Sequence, residues 1–138
     1  MTRSRRDDRG VTAVEFVLIV PVLIVAMLFV VGLGRMAHAR HQVEAAAADA
    51  ARSASLERNT ELAARNGETA AARTIGEMGL SCEQLRVNVD VSSYEPGGVV
   101  RAEVVCKARL ADVSIAGFPG GKTFTASAAV PIENYRSN

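Results

Sequence analysis

Four sets of residues have types and spacings that could do chemistry. Gly120-Gly121-Lys122-Thr123 has the ending of a phosphate-binding loop, in which backbone N–H groups cradle phosphate oxygens and a lysine neutralises them. That motif needs a Gly five residues before Gly121, where Ala116 stands, and a helix after it, where the pattern here reads as strand. His38, His41 and Glu44 recur at i, i+3 and i+6 and could hold a metal, but no fourth ligand lies near in sequence, and they read instead as polar residues at headgroup level. Cys82 and Cys106 are the only two cysteines; without a CxxC pair or a neighbouring His they fall short of a zinc set. The fourth is a single carboxylate, Glu15, at the head of a long apolar run. No acid/base pair and no nucleophile constellation can be assembled, so the expectation is a non-enzymatic chain without cofactor or metal.

Composition narrows the class further. Sixteen Lys and Arg against fifteen Asp and Glu give a net charge of +1 over 138 residues, with none of the basic excess that draws a protein onto nucleic acid. Hydrophobic residues make up 49% and aromatics 4%, with no Trp, and the mean hydropathy is +0.13. This average is unevenly distributed. From Phe16 to Leu33 there is no charge, and extension back to Val11 adds only Glu15. At 1.5 Å per residue such a run makes roughly 27–36 Å of helix, enough for a hydrocarbon core of about 30 Å. Its many Val and Ile would favour a strand in water, but lipid requires backbone groups to pair within the segment, which selects helix. Pro21 removes one helical hydrogen bond there, a change that bilayer helices tolerate.

Arg3, Arg5, Arg6 and Arg9 precede the run, whereas Arg35 and Arg40 follow it, so the positive-inside rule keeps the amino end in the cytoplasm. The remainder then faces an oxidising compartment. For Cys82 and Cys106 a single disulfide is the economical reading, closing a loop of about 25 residues and contributing roughly 3 kcal/mol. Two unlinked buried thiols are the alternative.

The expected organisation is a leader over 1–10, a transmembrane helix over 11–34, an extracytoplasmic helical region over 35–80 and a β-rich domain over 81–138. Arg35 to Glu57 is Ala-rich and unbroken by Gly or Pro, with Met36, Val43, Ala47, Ala50 and Ala54 on one face. Asn59 or Thr60 can cap a second helix running towards Met78, despite Asn66-Gly67 and Gly76, and Gly79 is a natural stop. From Leu85 the period becomes two. Leu85, Val87, Val89 and Val91 form one strand face; Glu95-Pro96-Gly97-Gly98 suits a type II turn; Val99 to Leu110 makes a second strand with Cys106 on its core side. Gly117 to Gly121 reads as a loop and Thr123 to Ile132 as a third strand, before a polar tail. The fold class is α+β, with the helices covering a small antiparallel sheet.

A carboxylate within a spanning helix costs roughly 2.5–3.5 kcal/mol at mid-bilayer and less towards the edge, so Glu15 either marks the interface or has a role. Its surroundings favour a role. Gly10-Val11-Thr12-Ala13-Val14-Glu15 looks like a type IV pilin processing site, with a basic leader, Gly before the cut and Glu at the fifth mature residue. The stretch Arg5 to Arg35 resembles the TadE-like pseudopilins of the Tad/Flp pilus system, through Arg9-Gly10, Val14-Glu15-Phe16, Pro21 and Gly34-Arg35. Val11 stands where the main type IV pilins have Phe. The resemblance implies a pilin-like architecture, cleavage between Gly10 and Val11 by a prepilin peptidase, and assembly with other pilins, pseudopilins and the membrane proteins of the secretion platform. It covers about the first 55 residues. The competing readings are a secreted domain, since Ala37-His38-Ala39 satisfies a signal-peptidase pattern, and a membrane-anchored domain unrelated to pili.

Overall fold

Alanine spacing in the first half of the chain and strict alternation in the second half produce two kinds of element. The computed structural model describes residues 8–109 and 121–134. The elements in chain order are α1 (Asp8–Ser55), α2 (Thr60–Glu77), β1 (Cys82–Asp90), β2 (Val99–Arg109) and β3 (Gly121–Pro131). The strands form one antiparallel sheet in the order β1-β2-β3, so the fold is α+β. Residues 1–7 of the leader expected over 1–10, residues 117–120 of the loop expected over 117–121, and the tail from residue 135 lie outside the described residues, while Gly121 begins β3. By its internal contacts the chain divides into a unit of residues 1–36 and a unit of residues 37–138.

The first unit is the apolar part of α1, which continues through Pro21. In the second unit α1 turns a stripe of small residues inward: Ala39, Val43, Ala46, Ala47, Ala50, Ala51 and Ala54 are buried. These positions recur at three and four, the spacing of one helical face. Asn59 starts α2, its Oδ1 accepting from the Leu62 amide at 2.8 Å, and thereby satisfies an N–H with no partner inside the helix. Gly79, at φ +74°, ends it, with the Leu80 amide donating back to the Ile75 carbonyl.

Polar contacts fix α2 antiparallel to α1. Ser53 Oγ donates to the Asn66 carbonyl, Thr74 Oγ1 to Asp49 Oδ2 at 2.7 Å, and Gln42 Nε2 to the Met78 carbonyl at 2.7 Å. The carboxyl end of α2 therefore lies beside the start of the second unit, and β1 begins there. Gly67, doubtful as a helix residue by propensity, is buried where a Cβ would lie 2.8 Å from Val89 Cγ2 and 3.1 Å from the Ala50 carbonyl. Its missing side chain lets α2 approach both α1 and the sheet.

The sheet buries one face against these helices. Val89, Val100, Ala102, Val104, Cys106, Ala108 and Phe124 join the helical alanines in one core. β1 starts at Cys82, three residues before the alternation becomes legible, because the register shifts between Cys82 and Gln84 and breaks the period of two. Between β1 and β2, Gly97 has φ +82° and the Gly98 amide donates to the Glu95 carbonyl at 2.8 Å, the positive φ and closing bond of a type II turn. Tyr94, just before it, donates its hydroxyl proton to the Ala54 carbonyl at 2.8 Å, with the Glu57 carbonyl also in reach.

Candidate functional site

Helical backbone places the residues of the expected processing site. Gly10 and Val11 belong to α1, and residue 11 precedes Glu15 by one helical turn, about 6 Å along the axis. Glu15 is exposed. After it, the large apolar side chains from Phe16 to Leu33 are 45–71% exposed, so among the described residues nothing covers them. A contiguous surface of this kind far exceeds the apolar patches that soluble monomers show to water. Among the described residues one helix is long and apolar enough to cross a membrane, and this is it. Pro21, lacking an N–H, cannot bond the Val17 carbonyl, yet α1 continues on both sides.

Cys82 and Cys106 are joined by a disulfide with a Cα–Cα distance of 5.4 Å. Cys106 is fully buried on the inner face of β2, and Cys82 sits at the first position of β1. The bridge ties the start of one strand to the neighbouring strand at the irregular end of their ladder. Beside it Glu83 pairs with Arg109 and with Lys107, the latter at 3.8 Å. The Arg109 guanidinium holds the Glu83 carboxyl below its ordinary range, and Lys107 adds to this.

The remaining candidates separate in space or in element type. His38 Nε2 accepts from Gln42 Nε2 at 3.2 Å, which requires the neutral ring protonated on Nδ1, whereas His41 faces Glu44 at 3.3 Å. Glu44 also accepts from Arg40 at 3.0 Å, and these contacts hold its carboxyl below the ordinary range. Among the described residues no three His, Cys, Asp or Glu side chains converge on a point where a metal could sit. Lys122 and Thr123 lie in β3, so no helix amino terminus is available there to receive a phosphate; the Lys122 ammonium stands 5.8 Å from the centre of the Phe124 ring.

Sequence reasoning missed Gln42. It is 6% exposed and its amide bridges His38 and the end of α2. Nothing in its local pattern marks it, because its partner Met78 is 36 residues away.

The model of one protein family, described as TadE-like protein, matches residues 10–52, from the Gly of the expected junction through the apolar run to the alanine stripe. No curated protein and no solved structure shows a significant match. The matched segment, less than half of the chain, holds Gly10, Val11, Glu15 and Pro21 on a single helix, and over that segment the chain is similar to the TadE-like family.

Proposed function

We propose that this protein is a minor pseudopilin of the TadE type, a structural and non-catalytic subunit assembled with a Tad/Flp pilus or its related secretion machinery. The observation that carries the reading is the coincidence of the family match with an uncovered apolar helix headed by Glu15. In this reading residues 1–10 are a cytoplasmic leader and residues 11–34 a single span of the inner membrane. Residues 35–80 and 81–138 are the helical and β-rich parts outside it. A disulfide suits that compartment, since the cytosol keeps thiols reduced.

Cleavage after Gly10 by a prepilin peptidase breaks the Gly10–Val11 peptide bond with water and leaves a free amine on Val11. That amine and the Glu15 carboxylate lie one turn apart and can neutralise each other within a helix, or between helices of adjacent subunits. The second arrangement sets register. A carboxylate in hydrocarbon is costly alone and cheap when paired, so helices in the bundle are selected for the stagger that brings an amine to each Glu15. Partners are accordingly the peptidase, other pilins and pseudopilins, the membrane proteins of the assembly platform, and the bilayer.

Mass spectrometry of the mature amino terminus tests this reading. Val11 is expected. Arg40 would identify a signal-peptidase product, and Met1 or Thr2 an uncut anchor; either result overturns the proposed processing.

A further inference from the structure

Strand direction decides which charges gather at the start of the second unit. The second unit begins at Ala37, three residues beyond Gly34, so its root is within about 10 Å of chain from the end of the apolar run. Gln42 bonded to Met78 puts the end of α2, and therefore the start of β1, at this root. The antiparallel pairs Cys82 with Ala108 and Arg109 with Gly121 then bring the end of β2 and the start of β3 to the same place.

These rows of the sheet carry Lys107, Arg109 and Lys122, all exposed, which include both lysines of the chain. The carboxylate they contain is Glu83, shared between Lys107 and Arg109. Among the described residues these rows thus hold three cations and one anion. Lys122, held over the face of Phe124, keeps its N–H donors available to an acceptor beyond the sheet. The opposite end of the sheet has the reverse balance, Asp90, Glu95 and Glu133 against Arg101.

We propose that this basic corner docks on the phosphates of anionic phospholipids in the same bilayer that α1 spans, so that the outer unit rests on the membrane surface. The proposal builds on the membrane-anchor reading above. Arg109 can offer a planar fork to a phosphate and the lysines point charges, while tethering at Ala37 removes the search that a free basic patch would need. Two uncompensated charges near an anionic surface favour the docked state by roughly thirtyfold. The attraction is electrostatic and falls with salt.

The test uses the full chain reconstituted in vesicles of phosphatidylcholine alone or with phosphatidylglycerol, each containing a nickel-chelating headgroup lipid. A nitroxide is placed at Thr123→Cys beside the corner, or at Ala129→Cys near the other end of β3. Nickel broadening at position 123 is expected to rise at least about fivefold with phosphatidylglycerol, to fall back in 0.5 M salt, and to remain unchanged at position 129. Lys107→Gln/Lys122→Gln, which leaves Glu83 paired with Arg109, should abolish the rise. Equal broadening in both bilayers, or a rise indifferent to salt, would overturn the docking. Alkali-resistant flotation with the vesicles is scored in parallel: a chain that does not float refutes the anchor itself, a result distinct from a floating chain that ignores lipid charge.

Discussion

Gly67 faces Val89 so closely that a β-carbon on it would lie 2.8 Å from the Val89 Cγ2. The same position is 3.1 Å from the Ala50 carbonyl, which belongs to a helical backbone and cannot give way cheaply. Gly67→Ala should therefore destabilise the second unit by about 1–3 kcal/mol, despite the better helix propensity of Ala. Gly76, in the same helix, has open space around its Cα. Gly76→Ala should be neutral or stabilising by up to about 1 kcal/mol. Thermal denaturation of the two variants in detergent distinguishes a packing role for Gly67 from a general dislike of glycine in α2.

Removing the Cys82–Cys106 bridge should lower stability by about 3 kcal/mol, since the reduced chain regains the freedom of the loop that the bridge closes. Cys82→Ala/Cys106→Ala measured against wild type in denaturant is the direct check. Addition of a reductant to wild type should move its midpoint towards that of the variant and leave the variant unaffected.

Tyr94→Phe removes the hydroxyl that the turn after β1 donates to the last turn of α1. A loss of about 1 kcal/mol is expected, with faster hydrogen exchange at residues 95–98. A turn that keeps its protection in the variant would show that the Glu95–Gly98 bond and the Gly97 and Ile132 backbone contacts hold it unaided.

Acid should loosen the polar surface before it reaches the alanine core. Glu83 is held low by Arg109, Glu44 by Arg40, and Asp90 by the Ser92 amide. A carboxyl whose folded value lies below its unfolded one stabilises the fold above the unfolded value, and that stability is lost as pH falls through the folded one. The window therefore lies below the ordinary carboxyl values of 4.5 for Glu and 3.8 for Asp. All three groups are solvated, so each effect is small and shrinks with salt. Melting of wild type from pH 7 to 3 should show a decline in this window, and Glu83→Gln should make that decline shallower.

Glu15→Ala should insert into the membrane normally, because it makes the helix more apolar, yet fail to enter pili or pilin complexes. Incorporation at the wild-type level would remove the proposed pairing with the Val11 amine. Carbonate extraction reports the insertion, and recovery with partner pilins reports the assembly.

The amino-terminal half was legible because its information is local. A charge-free run, Pro21 and a lone Glu15 define a long apolar helix without reference to the rest of the chain, and alanines at three and four define the inward stripe from Val43 to Ala54. Alternation likewise gave the strands and put Cys106 inward, but it lost the start of β1, where the register shift at Glu83 breaks the period. Gly67 is the clearest limit: its propensity argues against a helix, and only the approach of Val89, Ala50 and Ala54 explains its presence. Gln42 with Met78, Tyr94 with Ala54, and the gathering of Lys107, Arg109 and Lys122 near the start of the second unit depend on contacts between distant segments. Periodicity along one element determines which face is buried. Which end of the sheet lies beside the start of the second unit was decided only when α2 folded back on α1.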